Sequence, residues 1–249
     1  MAKNLFRAIR LEFNFIKQSR STLILSFILP IIFAYFFGLA GQINSWKPNV
    51  TYFTLYASSV LPLFVLFLAT QLTIMRIVGE RAPYGTLDRD LLSLSRTSIF
   101  FGKFIVNSVI AIIQSLIVFF ISYGIFHLSV QPVLFLFILI FISLFGVALG
   151  LLLSTISSNK EQASQIVPFV VLTLFIFNGT IIGFDGMSSP IKDIISNFPL
   201  AIATDSINRM VNFNQGFSEL GDNIFMLFIS MFITILIGWV KFYSEHFKK

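Results

Sequence analysis

"FIVNSVIAIIQSLIVFFISYGIFHLSVQPVLFLFILIFISLFGVALGLLLSTISSN", residues 104–159, runs for 56 positions without an Asp, Glu, Lys or Arg. A membrane helix needs about 20 mostly apolar residues, so this run is too long for one crossing and long enough for two. The break falls at "FHLSVQP" (126–132), where His127, Gln131 and Pro132 mark a turn. Two helices, 103–126 and 133–156, are predicted.

Working outward, four more charge-free runs appear, at 21–46, 48–75, 162–184 and 223–240. They predict helices at about 21–41, 52–75, 162–183 and 222–242, making six spans. Composition agrees: of the 249 residues 56% are hydrophobic and 11% charged, against about 25% charged in a soluble domain. A soluble fold could not cover so much apolar surface with so few charges. The expected fold is an all-α polytopic membrane protein in one domain, residues 1–249. In "SSNKEQ", Ser158 followed by Glu161 has the spacing of a capping box and is expected to start the fifth helix.

With six spans both termini lie on one side, together with fourteen of the 17 Lys and Arg residues. Only Lys47, Lys192 and Arg209 lie on the other. That asymmetry makes the basic side cytoplasmic and explains the net charge of +6 without nucleic acid. The basic first 20 residues are not expected to be a signal peptide, because the apolar run after them is longer than an h-region of about 7–15 residues.

Residues 3–20 have helical periodicity. Leu5, Ile9, Phe13 and Ile16 fall on one side; Arg7, Arg10, Asn14, Lys17 and Gln18 fall on the other. This reads as an amphipathic helix in the cytoplasmic interface. Glu12 interrupts the apolar side. It either snorkels or pairs locally with Lys17 or Arg10, or it meets a partner or another cytoplasmic loop.

"GERAPYGTLDRDLLSLSR" (79–96) is the densest knot of charge between spans. Burying its five charges from Glu80 to Asp90 in lipid would cost on the order of 15 kcal/mol, so it lies in water or in protein. Pro83 and Gly85 break the preceding helix. Leu87, Leu91 and Leu94 then recur at helical spacing around Asp88, Arg89 and Asp90. A short surface helix is predicted, in a linker far longer than two spans need.

These residues carry a resemblance. Glu80-Arg81, Gly85-Thr86-Leu87-Asp88-Arg89, Arg96 and Gly102-Lys103 are similar to the cytoplasmic loop of ABC-2 type transporter permeases. A second block, "FNGTIIGFDGMSSPIKDIISNFPLAIATDSINR" (177–209), is similar to the family's pattern after the fifth helix, through Gly179, Met187, Pro190, Asn197, Pro199 and Leu200. Ser95 stands where the family often has Pro.

The resemblance implies a half-transporter in the cell membrane, paired with a second permease copy (homo- or heterodimer) and with a separate ABC ATPase that holds ATP and Mg. Glu80, Arg81, Gly85, Thr86, Leu87, Asp88, Arg89 and Leu91 would form the coupling helix that grips the ATPase. Glu80 and Arg81 would touch it, or pair with Arg7 or Arg10. Two short re-entrant helices would follow the fifth span as an outer gate, with Gly179, Asp185, Met187, Pro190, Pro199, Asp205 and Arg209. Thr54, Ser58, Ser59, Gln71 and Asn178 are candidates for the cargo path; polar groups such as Gln71, Asn107, Gln114 and Asn178 more often serve as glue between helices.

No G-x-x-x-x-G-K-[ST] motif is present, so no phosphate loop is expected in this chain. With no Cys and only His127 and His246, far apart, no metal site is expected. The charge-free apolar runs within the predicted spans hold no Asp, Glu, Lys or Arg, which counts against an ion-coupled carrier. With 32 Phe against 6 Tyr and 2 Trp, the path suits a hydrophobic or amphipathic cargo such as a drug, peptide or lipid-like molecule. The alternatives are an ATP-independent channel or carrier, and a membrane immunity or sensor protein.

Overall fold

The computed structural model describes residues 2–18, 20–43, 51–81, 94–179 and 188–244. Every regular element among them is helical: α1 (Ala2–Gln18), α2 (Arg20–Ala40), α3 (Tyr52–Arg81), α4 (Arg96–Phe119), α5 (Pro132–Ile156), α6 (Lys160–Ile176), α7 (Ser189–Ile195), α8 (Pro199–Phe213) and α9 (Phe217–Ser244). A π-helical turn, Phe120–Ile125, prolongs α4. Among the described residues, five helices are long and apolar enough to cross a membrane, within Leu23–Ala40, Tyr56–Arg81, Arg96–Ile125, Pro132–Ile156 and Phe217–Ser244.

The helix expected at 162–183 is shorter. It spans 17 residues, or about 26 Å at 1.5 Å per residue, and ends seven positions early. Gly179 has φ 84°, a left-handed turn that favours glycine, and the Asn178 side chain reaches α8 through Thr204 Oγ1 at 3.4 Å. The chain therefore leaves the helix axis although it carries no charge there. The helix starts one residue later than the Ser158–Glu161 pattern implies. Asn159 is the cap and accepts from the Gln162 N–H at 2.8 Å, while Gln162 Oε1 accepts from the Ser158 N–H.

The expected turn at 126–132 lies between the π-helical turn and α5, with His127 at φ 50° and Pro132 opening α5. α3 and α5 form the centre. Leu61, Leu66 and Ile74 of α3 and Leu134, Phe135, Ile138, Leu139 and Ile142 of α5 are fully buried. Their close approach depends on Gly146 and Gly150, one turn apart on α5. A Cβ at either would fall 2.9 Å from Leu66 O or 2.8 Å from Thr70 O of α3, the small-residue contact of membrane helices. α2 and α9 lie at the periphery and present Leu25, Phe36, Phe225 and Phe232 outward, as lipid-facing helices do.

α8 is sunk into the bundle against α3, α5, α6 and α9. Pro199 starts it, and Leu200, Ala201, Ala203, Ile207 and Met210 are buried. Asp205 and Ser206 of α8 accept from Asn223 near the start of α9, at 3.3 and 2.9 Å. Arg96 of α4 reaches the carbonyl of Tyr243 at the other end of α9. Twenty helical residues, about 30 Å, separate the two, so α8 and the start of α4 mark opposite ends of the bundle.

Candidate functional site

Three helices carry charge into one place. On α3, Arg76 and Glu80 are four apart and share a face. On α4, Lys103 and Asn107 repeat that spacing. α1 supplies Glu12. Arg76 donates through Nη2 to Glu12 Oε1 at 2.8 Å and through Nη1 to Asn107 Oδ1 at 2.6 Å. Lys103 Nζ donates to Glu12 Oε2 at 3.0 Å and also to Glu80 Oε2. Asn107 Nδ2 donates to the Lys103 carbonyl at 2.8 Å. Glu12, Glu80, Lys103 and Asn107 are all buried, none more than 6% exposed.

The cluster holds two carboxylates and two cations, so its formal charge is zero. Buried ions tolerate low dielectric only when paired and hydrogen-bonded. Glu80 Oε1 is the exception: it is buried with no hydrogen-bond partner among the described residues. Gly102 brings α1 close enough. A Cβ there would lie 2.9 Å from Ala8 Cβ and 3.2 Å from the Ala8 carbonyl carbon, so only a bare backbone lets α1 lie on α4 with Glu12 in reach of Lys103.

This changes the reading of α1. Its protein-facing stripe is Ala8, Glu12 and Ile16, each buried, while Phe13 is 52% exposed and Phe6 69%. Glu12 finds its partners on α3 and α4 rather than in Lys17 or Arg10. Lys17 lies over the Phe13 ring at 5.0 Å, and Arg7 and Arg10 are exposed. Glu80 pairs with Lys103, not with Arg7 or Arg10.

Charge also anchors both ends of the 79–96 segment. Arg81 Nη1 donates to the Ser154 carbonyl at 2.7 Å, in the last turn of α5. Arg96 Nη1 donates to the Tyr243 carbonyl at 2.8 Å, in the last turn of α9. Both carbonyls belong to helix ends that lack intrahelical partners, where cations are favoured. Ser95 caps α4, its Oγ accepting from the Ser98 N–H at 3.3 Å. Trp239 Nε1 of α9 adds a contact to Thr97 at 3.4 Å. Gly85, Thr86, Leu87, Asp88, Arg89 and Leu91 of the expected coupling helix lie outside the described residues.

At the opposite end, Arg209 pairs with Asp205 at 2.8 Å across one helical turn. Pro190 and Pro199 stand at the starts of α7 and α8, and Asp185 and Met187 lie outside the described residues. Of the path candidates, Gln71 lies apart from the others. Thr54 bonds Thr51 at 3.0 Å, and Ser58, Ser59 and Asn178 are buried. Gln71, whose Oε1 is buried without a partner among the described residues, sits about 20 Å along α3 from Ser58. None of the five lines either of two clefts, one at α1–α3–α6 and one along Phe33, Phe64, Phe67 and Pro168. Gln114, by contrast, links helices as glue, donating to the Ser26 carbonyl of α2 at 2.9 Å.

The signals for the cluster were the four-residue spacings and the acid on α1. Charge-free runs alone do not show the cluster, because they leave Arg76 beyond the end of one predicted span and Lys103 at the edge of another; α3 runs on to Arg81 and α4 begins at Arg96.

A family model described as ABC-2 family transporter protein matches residues 46–240. The chain belongs to this family, whose members are transmembrane transporter components rather than catalysts and normally work with an ABC ATPase. No curated protein matches the chain. The matched residues include Arg76, Glu80 and Lys103; Glu12, on α1, precedes them.

Proposed function

We propose that this chain is the permease subunit of an ATP-driven exporter, carrying a hydrophobic or amphipathic cargo out of the cell. A separate ATPase binds ATP and Mg, and a second permease copy completes the path. The chain crosses the cell membrane six times, with α6 as a short fifth span. Both termini and the 79–96 segment are cytoplasmic, and α7 and α8 form the outer gate.

The observation that carries this reading is the anchoring of the 79–96 segment. Glu80 is held to Lys103 and through it to Glu12, Arg81 to the end of α5, and Arg96 to the end of α9. Force applied to residues between these anchors reaches α1, α3, α4, α5 and α9 together. A linker between two spans needs none of this. In this reading Glu80 transmits from inside the protein, and the contacts to the ATPase come from Thr86, Leu87, Asp88, Arg89 and Leu91.

The test is purification of the tagged chain in mild detergent, with and without Leu87→Asp/Leu91→Asp, and identification of what accompanies it. An ATPase subunit present with the parent and lost with the variant is the expected result. A parent chain that comes alone and transports without nucleotide would move the channel or sensor readings ahead.

A further inference from the structure

A half-open cleft of about 270 Å³ lies where α1, α2, α3, α4 and the start of α6 meet. Its walls are Phe15 and Ile16 of α1, Leu23 of α2, Leu72 and Met75 of α3 and Ile110 of α4. Two cations border it, Arg76 and Lys160. Arg76 is already engaged with Glu12 and Asn107. Lys160 is exposed, and no carboxylate among the described residues pairs with it. Its side chain lies flat on α3 because Gly79 leaves room: a Cβ there would come within 3.0 Å of Lys160 Cε and 3.5 Å of Nζ.

The neighbouring charges do not satisfy Lys160. Glu12, Glu80, Arg76 and Lys103 sum to zero among themselves, and the exposed Glu161 does not line the cleft. Lys160 also opens α6, whose positive dipole end favours an anion. An apolar slot with a cation at its mouth that is unbalanced among the described residues suits an amphiphile with an anionic head and a hydrocarbon tail. Basic pockets between helices on the cytoplasmic side bind anionic lipid headgroups for this reason.

We propose that this cleft seats one anionic phospholipid of the cytoplasmic leaflet, its phosphate at Lys160 and an acyl chain against Ile16, Leu23, Leu72 and Ile110. The lipid joins α1, α3 and α6 on the flank of the buried charge cluster, where it braces the base of the 79–96 segment. The leaflet assignment rests on the orientation proposed above; the chemistry of the cleft does not.

The experiment is native mass spectrometry of the delipidated full chain, titrated separately with phosphatidylglycerol, phosphatidylcholine and inorganic phosphate. Phosphatidylglycerol is expected to bind in preference to phosphatidylcholine. Lys160→Ala weakens it roughly fivefold, the strength of one lysine's attraction to anionic lipid, and Lys160→Arg restores it. Equal retention of the two lipids, or no change in Lys160→Ala, overturns the proposal. Displacement of the lipid by millimolar phosphate also overturns it, because the site then reads a free anion. Sidedness is read apart from binding. The chain has no Cys, so Lys160→Cys is a unique label site. Labelling by an impermeant maleimide from outside intact cells overturns the leaflet assignment and the proposed orientation together, whatever the lipid titration gives. Protection there, with labelling in inverted vesicles, supports both.

Discussion

Arg76 and Glu12 meet at 2.8 Å, and so do Arg209 and Asp205, yet the first pair is 9% and 8% exposed and the second 45% and 29%. The chemistry is the same and the setting is not. Arg209 and Asp205 are one turn apart on α8, so forming the pair orders only two side chains. Glu12, Arg76, Glu80 and Lys103 come from three helices, with Glu12 separated from Lys103 by 91 positions. Their pairing exists only if those helices are docked. An exposed pair decorates a helix that forms without it; a buried network reports, and enforces, tertiary assembly.

Four experiments sharpen or break that contrast. The largest effect is expected from Lys103→Met, which leaves Glu12 and Glu80 buried with one fewer cation. Removing one partner from a buried ion pair costs about 3–5 kcal/mol, to be read by chemical unfolding in mixed micelles. A loss below about 1 kcal/mol would mean that water reaches the cluster. Next comes Gly102→Leu, which forces α1 away from α4. Overpacking of this kind costs about 1–3 kcal/mol. The expected mark is faster hydrogen exchange of the α1 backbone while the helix content by circular dichroism is unchanged.

Arg96→Ala is smaller. It removes one charge-assisted bond to the end of α9, worth about 1–2 kcal/mol. Transport should fall further than stability, because the anchor is lost while the fold remains; equal falls would assign Arg96 to stability alone. Arg209→Ala closes the series at about 0.5 kcal/mol or less. Its effect should vanish in high salt, whereas that of Lys103→Met should persist. An Arg209 effect as large as that of Lys103 would erase the distinction between the two ends.

Much of the architecture was legible because lipid demands long charge-free runs, and those runs mark where helices are. They do not mark where helices stop. α3 continues six residues beyond the apolar run's end, through Arg76, Glu80 and Arg81, because protein rather than lipid surrounds those charges. α6 stops early because Asn178 and Gly179 turn the chain, and neither is charged. Glu12 stood out on α1 as an acid among apolar positions. Its partners were hidden because long-range pairing leaves no trace in local periodicity. The α3–α5 contact had a readable sign in Gly146 and Gly150, four apart in an apolar helix, which the count of spans did not use.

Glu12 also sets a condition on how the chain is made. It leaves the ribosome 64 residues before Arg76 and 91 before Lys103. At a synthesis rate of about 5–20 residues per second, the carboxylate waits roughly 5–18 s for its second cation. During that wait α1 must rest where water still reaches the acid, at the membrane surface. Docking onto α4 follows only after the third apolar helix has begun to emerge. The order of biogenesis is thus written into the position of a single acid: surface first, interior last.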